Sequence, residues 1–198
     1  MKSWHIIDII LVTILAIFMG VIFWVINPVY TLLAAALAPF GLQPLANELL
    51  LGIWVMAGPL AGFIIRIPGA ATLGEFLGAV VEMFLGGIWG ASTLISGAVQ
   101  GLGAEIGFAA TRYKRYDWVT LVLTALTTTI VTFTWDLVRS GYSAYHFGFL
   151  ILLFAVRFCS VFLFGGVLTK LITNLLARAH VLPCLLYTSP SPRDRSLS

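Results

Sequence analysis

Six carboxylates in this chain stand where a carboxylate is expensive. Asp8, Glu48, Glu75, Glu82, Glu105 and Asp136 all fall within apolar stretches. The run TLGEFLGAVVEMFLGGIWGASTLISGAVQGLGAEIGF, residues 72–108, holds three glutamates and Gln100 but no lysine, arginine or histidine. At the centre of a bilayer each acid costs about 2.5–3.5 kcal/mol on insertion scales, so each needs a partner or a wet cavity. Arg157 is the one basic residue near the centre of an apolar segment. One guanidinium cannot neutralise them all. The chemistry this leaves open is capture of a small organic cation. Carboxylates supply charge and accept hydrogen bonds from an amine-bearing ring, and tryptophan faces attract a cation by about 2 kcal/mol or more when desolvated. Such pockets are mostly apolar, with a few placed polar groups.

The elements that position these acids are membrane helices. The 198 residues are 60% hydrophobic and 10% charged, with a mean hydropathy of +1.03. Soluble domains carry about a quarter charged residues. The expectation is an all-α integral membrane protein. From Pro183 the composition switches to PCLLYTSPSPRDRSLS, which resembles translated cloning-vector sequence. Residues 183–198 are therefore set apart from a membrane domain spanning 1–182. That domain keeps nine of the eleven basic and seven of the eight acidic residues. Cys184 lies in the tail and Cys159 in an apolar segment, so no disulfide framework is implied.

A spanning helix needs about 20 mostly apolar residues. Six such segments are expected, at about 6–26, 45–67, 73–89, 91–110, 118–138 and 148–174. Between the first two, Pro28 and Pro39 bracket a run that would reach only about 15 Å as helix, which favours a short interfacial or re-entrant segment. The first segment is longer than a signal-peptide core and is read as retained. With the N-terminus inside, Lys2, Arg66, Arg112, Lys114, Arg115, Lys170 and Arg178 all fall on the cytoplasmic side, and Arg139 alone outside. This asymmetry fits the positive-inside rule and places both termini in the cytoplasm.

Depth then sorts the polar residues. Glu48 falls near the outer mouth, with Trp54 deeper. Glu75 is near the cytoplasmic end, and Glu82, seven residues on, lies on nearly the same helix face about midway. Gln100 lies midway down the next helix, with Glu105 lower. Trp89, Trp135, Asp136 and the loop SGYSAYHFG, which contains Tyr145 and His146, lie outermost. Each residue also has a plainer role. Trp4 and Trp118 read as interfacial anchors, and Trp89 and Trp135 as anchors or ligand contacts. Asp136 is a candidate partner of Arg139 one turn on. Glu75 is a candidate partner of Arg66 or Arg112, and Glu105 of Arg157. Asp8 sits near the membrane surface, where hydration suffices. Glu48 and Glu82 have no evident cation and are the first choices for ligand binding.

Small-xxx-small spacings pair Ala16 with Gly20, Gly74 with Gly78, Gly97 with Gly101 and Gly103 with Gly107. Close helix packing accounts for the later sets, and a partner subunit is an alternative for Ala16 and Gly20. There is no P-loop, H-E-x-x-H zinc site or G-x-S-x-G elbow, which argues against an ATPase or an intramembrane enzyme. No metal, cofactor or nucleic-acid site is indicated.

The run LANELLLGIWVMAGPLAGFIIRIPGAATLGEFLGAVVEMFLGGIWG, residues 45–90, resembles the YkoE-type substrate-capture (S) components of energy-coupling factor (ECF) transporters. The resemblance extends over about 1–182 in length, six-helix plan and glutamate-rich helices. It implies the S-component fold, a site near the outer face of a bacterial plasma membrane, and a lid between the first two helices. That lid would be residues 27–44, with Asn27 and Tyr30. It further implies thiamine or its hydroxymethylpyrimidine precursor as ligand, and as partners a membrane coupling subunit and two ATPases, with Ala16 and Gly20 toward the coupling subunit. The binding set expected is Glu48, Trp54, Glu82, Trp89, Gln100, Trp135, Asp136 and Tyr145. Two rivals stand beside this reading. One is a stand-alone cation or proton-coupled transporter with Glu82 and Glu105 as a relay. The other is an assembly subunit whose acids only form ion pairs.

Overall fold

The computed structural model describes residues 4–178. The described residues make six helical passes: α1 (Ile6–Leu37), α2 (Pro44–Trp54) with α3 (Ala57–Ile65), α4 (Ala70–Phe84), α5 (Ser92–Ala110), α6 (Trp118–Arg139), and α7 (Phe147–Val161) with α8 (Thr169–Arg178). Four passes are long and apolar enough to cross a bilayer on their own terms: Ile6–Phe40, Pro44–Ile65, Trp118–Arg139 and Phe147–Arg178. The other two, α4 and α5, are the hairpin that carries the polar run. Pro44 opens α2 at a position where its missing N–H costs nothing. The Asp117 carboxylate accepts the Thr120 N–H at 3.2 Å to cap α6, and His146 Nδ1 accepts the Phe149 N–H at 3.2 Å to cap α7. His146 is thus a capping residue at a loop end.

Three elements differ from the sequence expectation. First, α1 does not stop at residue 26. It runs through Pro28 to Leu37 and passes into a 3₁₀ turn, Ala38–Phe40. Residues 27–37 are therefore helix, and only the short stretch up to Pro44 is left for a loop. Proline removes a single helical N–H, a loss membrane helices tolerate, and the alanines at 34–36 and 38 are the best helix formers. At 32 residues, α1 is about 48 Å long. Second, the pass expected over 45–67 is broken at Val55–Met56, between α2 and α3. Third, α7 enters α8 through a π-helical stretch, Phe162–Leu168, containing Gly165 and Gly166. Gly165 lies against Pro59 of α3, 3.4 Å from where a Cβ would point.

The bundle closes through small residues. A Cβ on Gly97 would lie 2.5 Å from the Ala79 Cβ, and one on Gly107 2.6 Å from the Thr124 N. The backbones of α4, α5 and α6 therefore approach as closely as glycine allows. Ala16 and Gly20 belong to this interior. Ala16 is 1% exposed, and a Cβ on Gly20 would stand 2.5 Å from the Val81 Cβ on α4. Their assignment to a partner subunit is corrected accordingly: the small face of α1 packs on α4 within the chain. The outward face of α1 is instead lined by Ile10, Ile14, Ile17, Phe18 and Val21.

Candidate functional site

Because successive passes alternate in direction, the ends of α1, α4 and α6 and the starts of α2 and α5 meet at one end of the bundle. A cavity of about 450 Å³ lies there, within the size range of small-molecule sites. Tyr30, Trp54, Glu82, Trp89, Gln100, Asp136 and Tyr145 line it. The tryptophans and Tyr30 form an aromatic corner. The Tyr30 ring stands 5.7 Å from that of Trp54 and 5.2 Å from that of Trp89, centroid to centroid. Trp54 is fixed from behind by donating its indole N–H to the Phe23 carbonyl at 3.3 Å. Glu82 is 3% exposed. Its Oε1 and the Thr93 hydroxyl, also on the cavity wall, have no hydrogen-bond partner among the described residues. A buried acceptor without a donor is costly, and a ligand amine or ring N–H would satisfy it.

Glu48 does not line the cavity. The expectation that it lacks a cation is overturned by Arg157, 109 residues further along. Both side chains are fully buried. Arg157 donates through Nε to Glu48 Oε2 and through Nη2 to Glu48 Oε1 at 2.7 Å. The same Nη2 donates to Asp136 Oδ2 at 2.6 Å. Asp136 thus pairs with Arg157 rather than with Arg139, and its Oδ1 accepts the Ser140 hydroxyl at 2.9 Å. Tyr142, a cavity residue missed in the sequence, donates its hydroxyl to Glu48 Oε1 at 2.7 Å. The guanidinium packs 5.1 Å from the Phe133 ring centroid. Glu48 is therefore a buried support. It holds Arg157, which holds Asp136 against the cavity.

The other acids take donors from helix ends, although Glu75 Oε1 has no hydrogen-bond partner among the described residues. Glu75 Oε2 accepts the Gly58 N–H at 2.7 Å, at the first turn of α3. Glu105 accepts the Gly69 N–H at 2.7 Å and the Thr72 N–H at 3.0 Å, at the start of α4, and the Tyr113 hydroxyl at 2.8 Å. A helix N-terminus carries unpaired N–H groups and roughly half a positive charge, so a carboxylate belongs there. The expected pairings of Glu75 with Arg66 or Arg112, and of Glu105 with Arg157, are replaced by these contacts. Asp8 is 2% exposed rather than hydrated, and it accepts the His5 N–H at 3.0 Å ahead of α1.

Two further expected residues lie off the cavity. Trp135 is not on its wall; the Arg139 guanidinium lies 6.0 Å from its ring centroid. Asn27 is 2% exposed and its side chain stands against the Glu82 carboxylate, the two flanking Gly87. Besides Tyr142, the sequence reading had not placed Phe23, Thr93, Ser96, Arg139 or Ser140 in the wall. At the opposite end, Arg66 lies 4.9 Å from the Tyr116 ring centroid and Lys170 Nζ donates to the Tyr116 carbonyl at 3.3 Å. These two cations lie where the positive-inside reading grouped them. Among the described residues no three metal-ligating side chains gather.

The architecture and site define a class. A solved structure described as an S-component of an ECF transporter superposes with a TM-score of 0.86 at 33% identity, covering 98% of this chain and 96% of that one. The chain is a substrate-binding S component, an all-α membrane transport protein and not an enzyme. It is 35% identical over 182 residues to the putative HMP/thiamine permease protein YkoE of Bacillus subtilis (strain 168), covering 92% of this chain and 89% of that protein. A family model described as "ABC-type cobalt transport system, permease component" matches residues 7–131. The chain belongs to the YkoE family of ABC-type permease components.

Proposed function

We propose that the chain captures thiamine or its hydroxymethylpyrimidine half at the outer face of a bacterial plasma membrane. A membrane coupling subunit and ATPases would then drive release inward. The observation that carries this reading is the buried Glu82 carboxylate, whose Oε1 has no hydrogen-bond partner among the described residues, on one cavity wall with the Tyr30–Trp54–Trp89 corner. A cationic or amine-bearing heteroaromatic ring stacks on such a corner and donates to such a carboxylate. Charge supports the same choice. Glu48, Glu82 and Asp136 set three carboxylates against the two guanidiniums of Arg139 and Arg157 in and behind the wall. Arg157 is shared by Glu48 and Asp136, which leaves Glu82 in the inner cavity as the carboxylate that the cationic ring of thiamine can balance. The name of the YkoE relative points to the same ligand pair.

The test is titration of ligand-stripped, detergent-purified protein with thiamine, hydroxymethylpyrimidine and the thiazole half, followed by tryptophan fluorescence. Saturable binding of thiamine or of the pyrimidine supports the reading. Absence of binding to all of them, by protein shown to be folded, removes it.

A further inference from the structure

Among the described residues, Arg139 is the one cationic side chain on the cavity wall. It is the last residue of α6 and is exposed, whereas Glu82 is 3% exposed and the Asp136 side chain 16%. The cavity is thus graded, acidic within and basic at its rim. Arg139 has no carboxylate partner among the described residues, because Asp136 is taken by Arg157 and Ser140. Its Nη1 donates to the Ser96 hydroxyl on α5 at 2.9 Å, which uses one of five guanidinium donors. A lone guanidinium at the mouth works against a cation and adds nothing to a neutral ring. Beside the Ser96 hydroxyl, which accepts from it and keeps its own proton to donate, it does suit an anionic oxygen group, for which the planar fork of arginine is the favoured receptor.

We propose that Arg139, with Ser96, reads the oxygen-bearing tail of the captured ligand, so that the site accepts the phosphate monoester of the cation as well as the free alcohol. The ring would lie inward against Glu82 and the aromatic corner, with the tail directed to the rim. This inference rests on the proposed function and adds a ligand class to it.

The experiment titrates wild type, Arg139→Gln and Arg139→Lys with thiamine and with thiamine monophosphate, reading tryptophan fluorescence. The wild type binds both. Arg139→Gln weakens the monophosphate by about tenfold more than it weakens thiamine, the loss expected for one charge-assisted contact. Arg139→Lys recovers part of that difference, because the charge stays while the fork is lost. The inference is overturned if the monophosphate does not bind the wild type, or if Arg139→Gln weakens both ligands equally. Failure of thiamine itself to bind folded wild type is a separate result and removes the functional reading together with this one.

Discussion

Replacing Arg157 with methionine isolates the support behind the cavity. The guanidinium is fully buried and is bound to both Glu48 and Asp136. Methionine keeps much of the apolar length and flexibility of arginine, so the main change is removal of charge. Two carboxylates are then left facing Phe133 and Tyr142 without a cation. Breaking a buried pair by removing one partner costs about 3–5 kcal/mol. At roughly 2–4 °C per kcal/mol for a chain of this size, the melting temperature falls by about 6–20 °C. Adding Glu48→Gln to Arg157→Met removes one of the two stranded charges and keeps an acceptor for the Tyr142 hydroxyl, so about half of the loss returns. The assay is thermal unfolding of the ligand-free protein in detergent, followed by tryptophan fluorescence. An Arg157→Met protein that melts with the wild type, or a double variant less stable than the single one, would refute the assignment of both acids to Arg157.

Other perturbations separate binding from stability. Glu82→Gln removes a charge that faces the cavity, and it should weaken thiamine by about tenfold to a hundredfold. The melting temperature of the ligand-free protein should change little, since glutamine keeps an acceptor for the neighbouring Asn27 side chain and Glu82 Oε1 has no further partner to lose. Glu75→Ala strips the acceptor from the Gly58 N–H at the start of α3, and unfolding measurements should show a loss of about 1–2 kcal/mol, the scale of a helix cap. Gly107→Val drives a branched side chain into the Thr124 backbone, and it should destabilise the α5–α6 contact by about 1–3 kcal/mol or more, read as a lower melting temperature.

The passes were legible because apolar length is a one-dimensional property. All six start near their expected places, although α1 runs past its expected end, and the gathering of Glu82, Trp89, Gln100, Asp136 and Tyr145 at one end of the bundle followed from counting depth along alternating helices. What the sequence could not show was pairing. Glu48 and Arg157 are 109 residues apart, and no spacing rule links α2 to α7. The nearest cation along the chain misled in the same way: Asp136 is three residues from Arg139 yet binds Arg157. The small residues of α1 carried a similar ambiguity. A close-packing face looks the same whether α4 or another subunit meets it, and only the position of Val81 beside Gly20 decides. Proline signals were also too strong here, since Pro28 sits inside α1 instead of ending it.

The run of glutamates without a cation has two physical explanations at once, and they differ by depth. Glu75 and Glu105 stand at the N-termini of α3 and α4, where the cation is replaced by unpaired backbone N–H groups and the helix dipole. Breaking the second pass at Val55–Met56 is what creates the first of these termini within the membrane, so the break and Glu75 are two halves of one device. That break comes directly after Trp54, which lines the cavity. Glu82 lies two turns above Glu75 on nearly the same face of α4, but no helix begins beside it. Its neighbour is the Asn27 side chain instead, and its Oε1, like that of Glu75, has no hydrogen-bond partner among the described residues. Of the glutamates in this run, Glu82 is the one that lines the cavity, and so the one that a donor from outside the chain can reach.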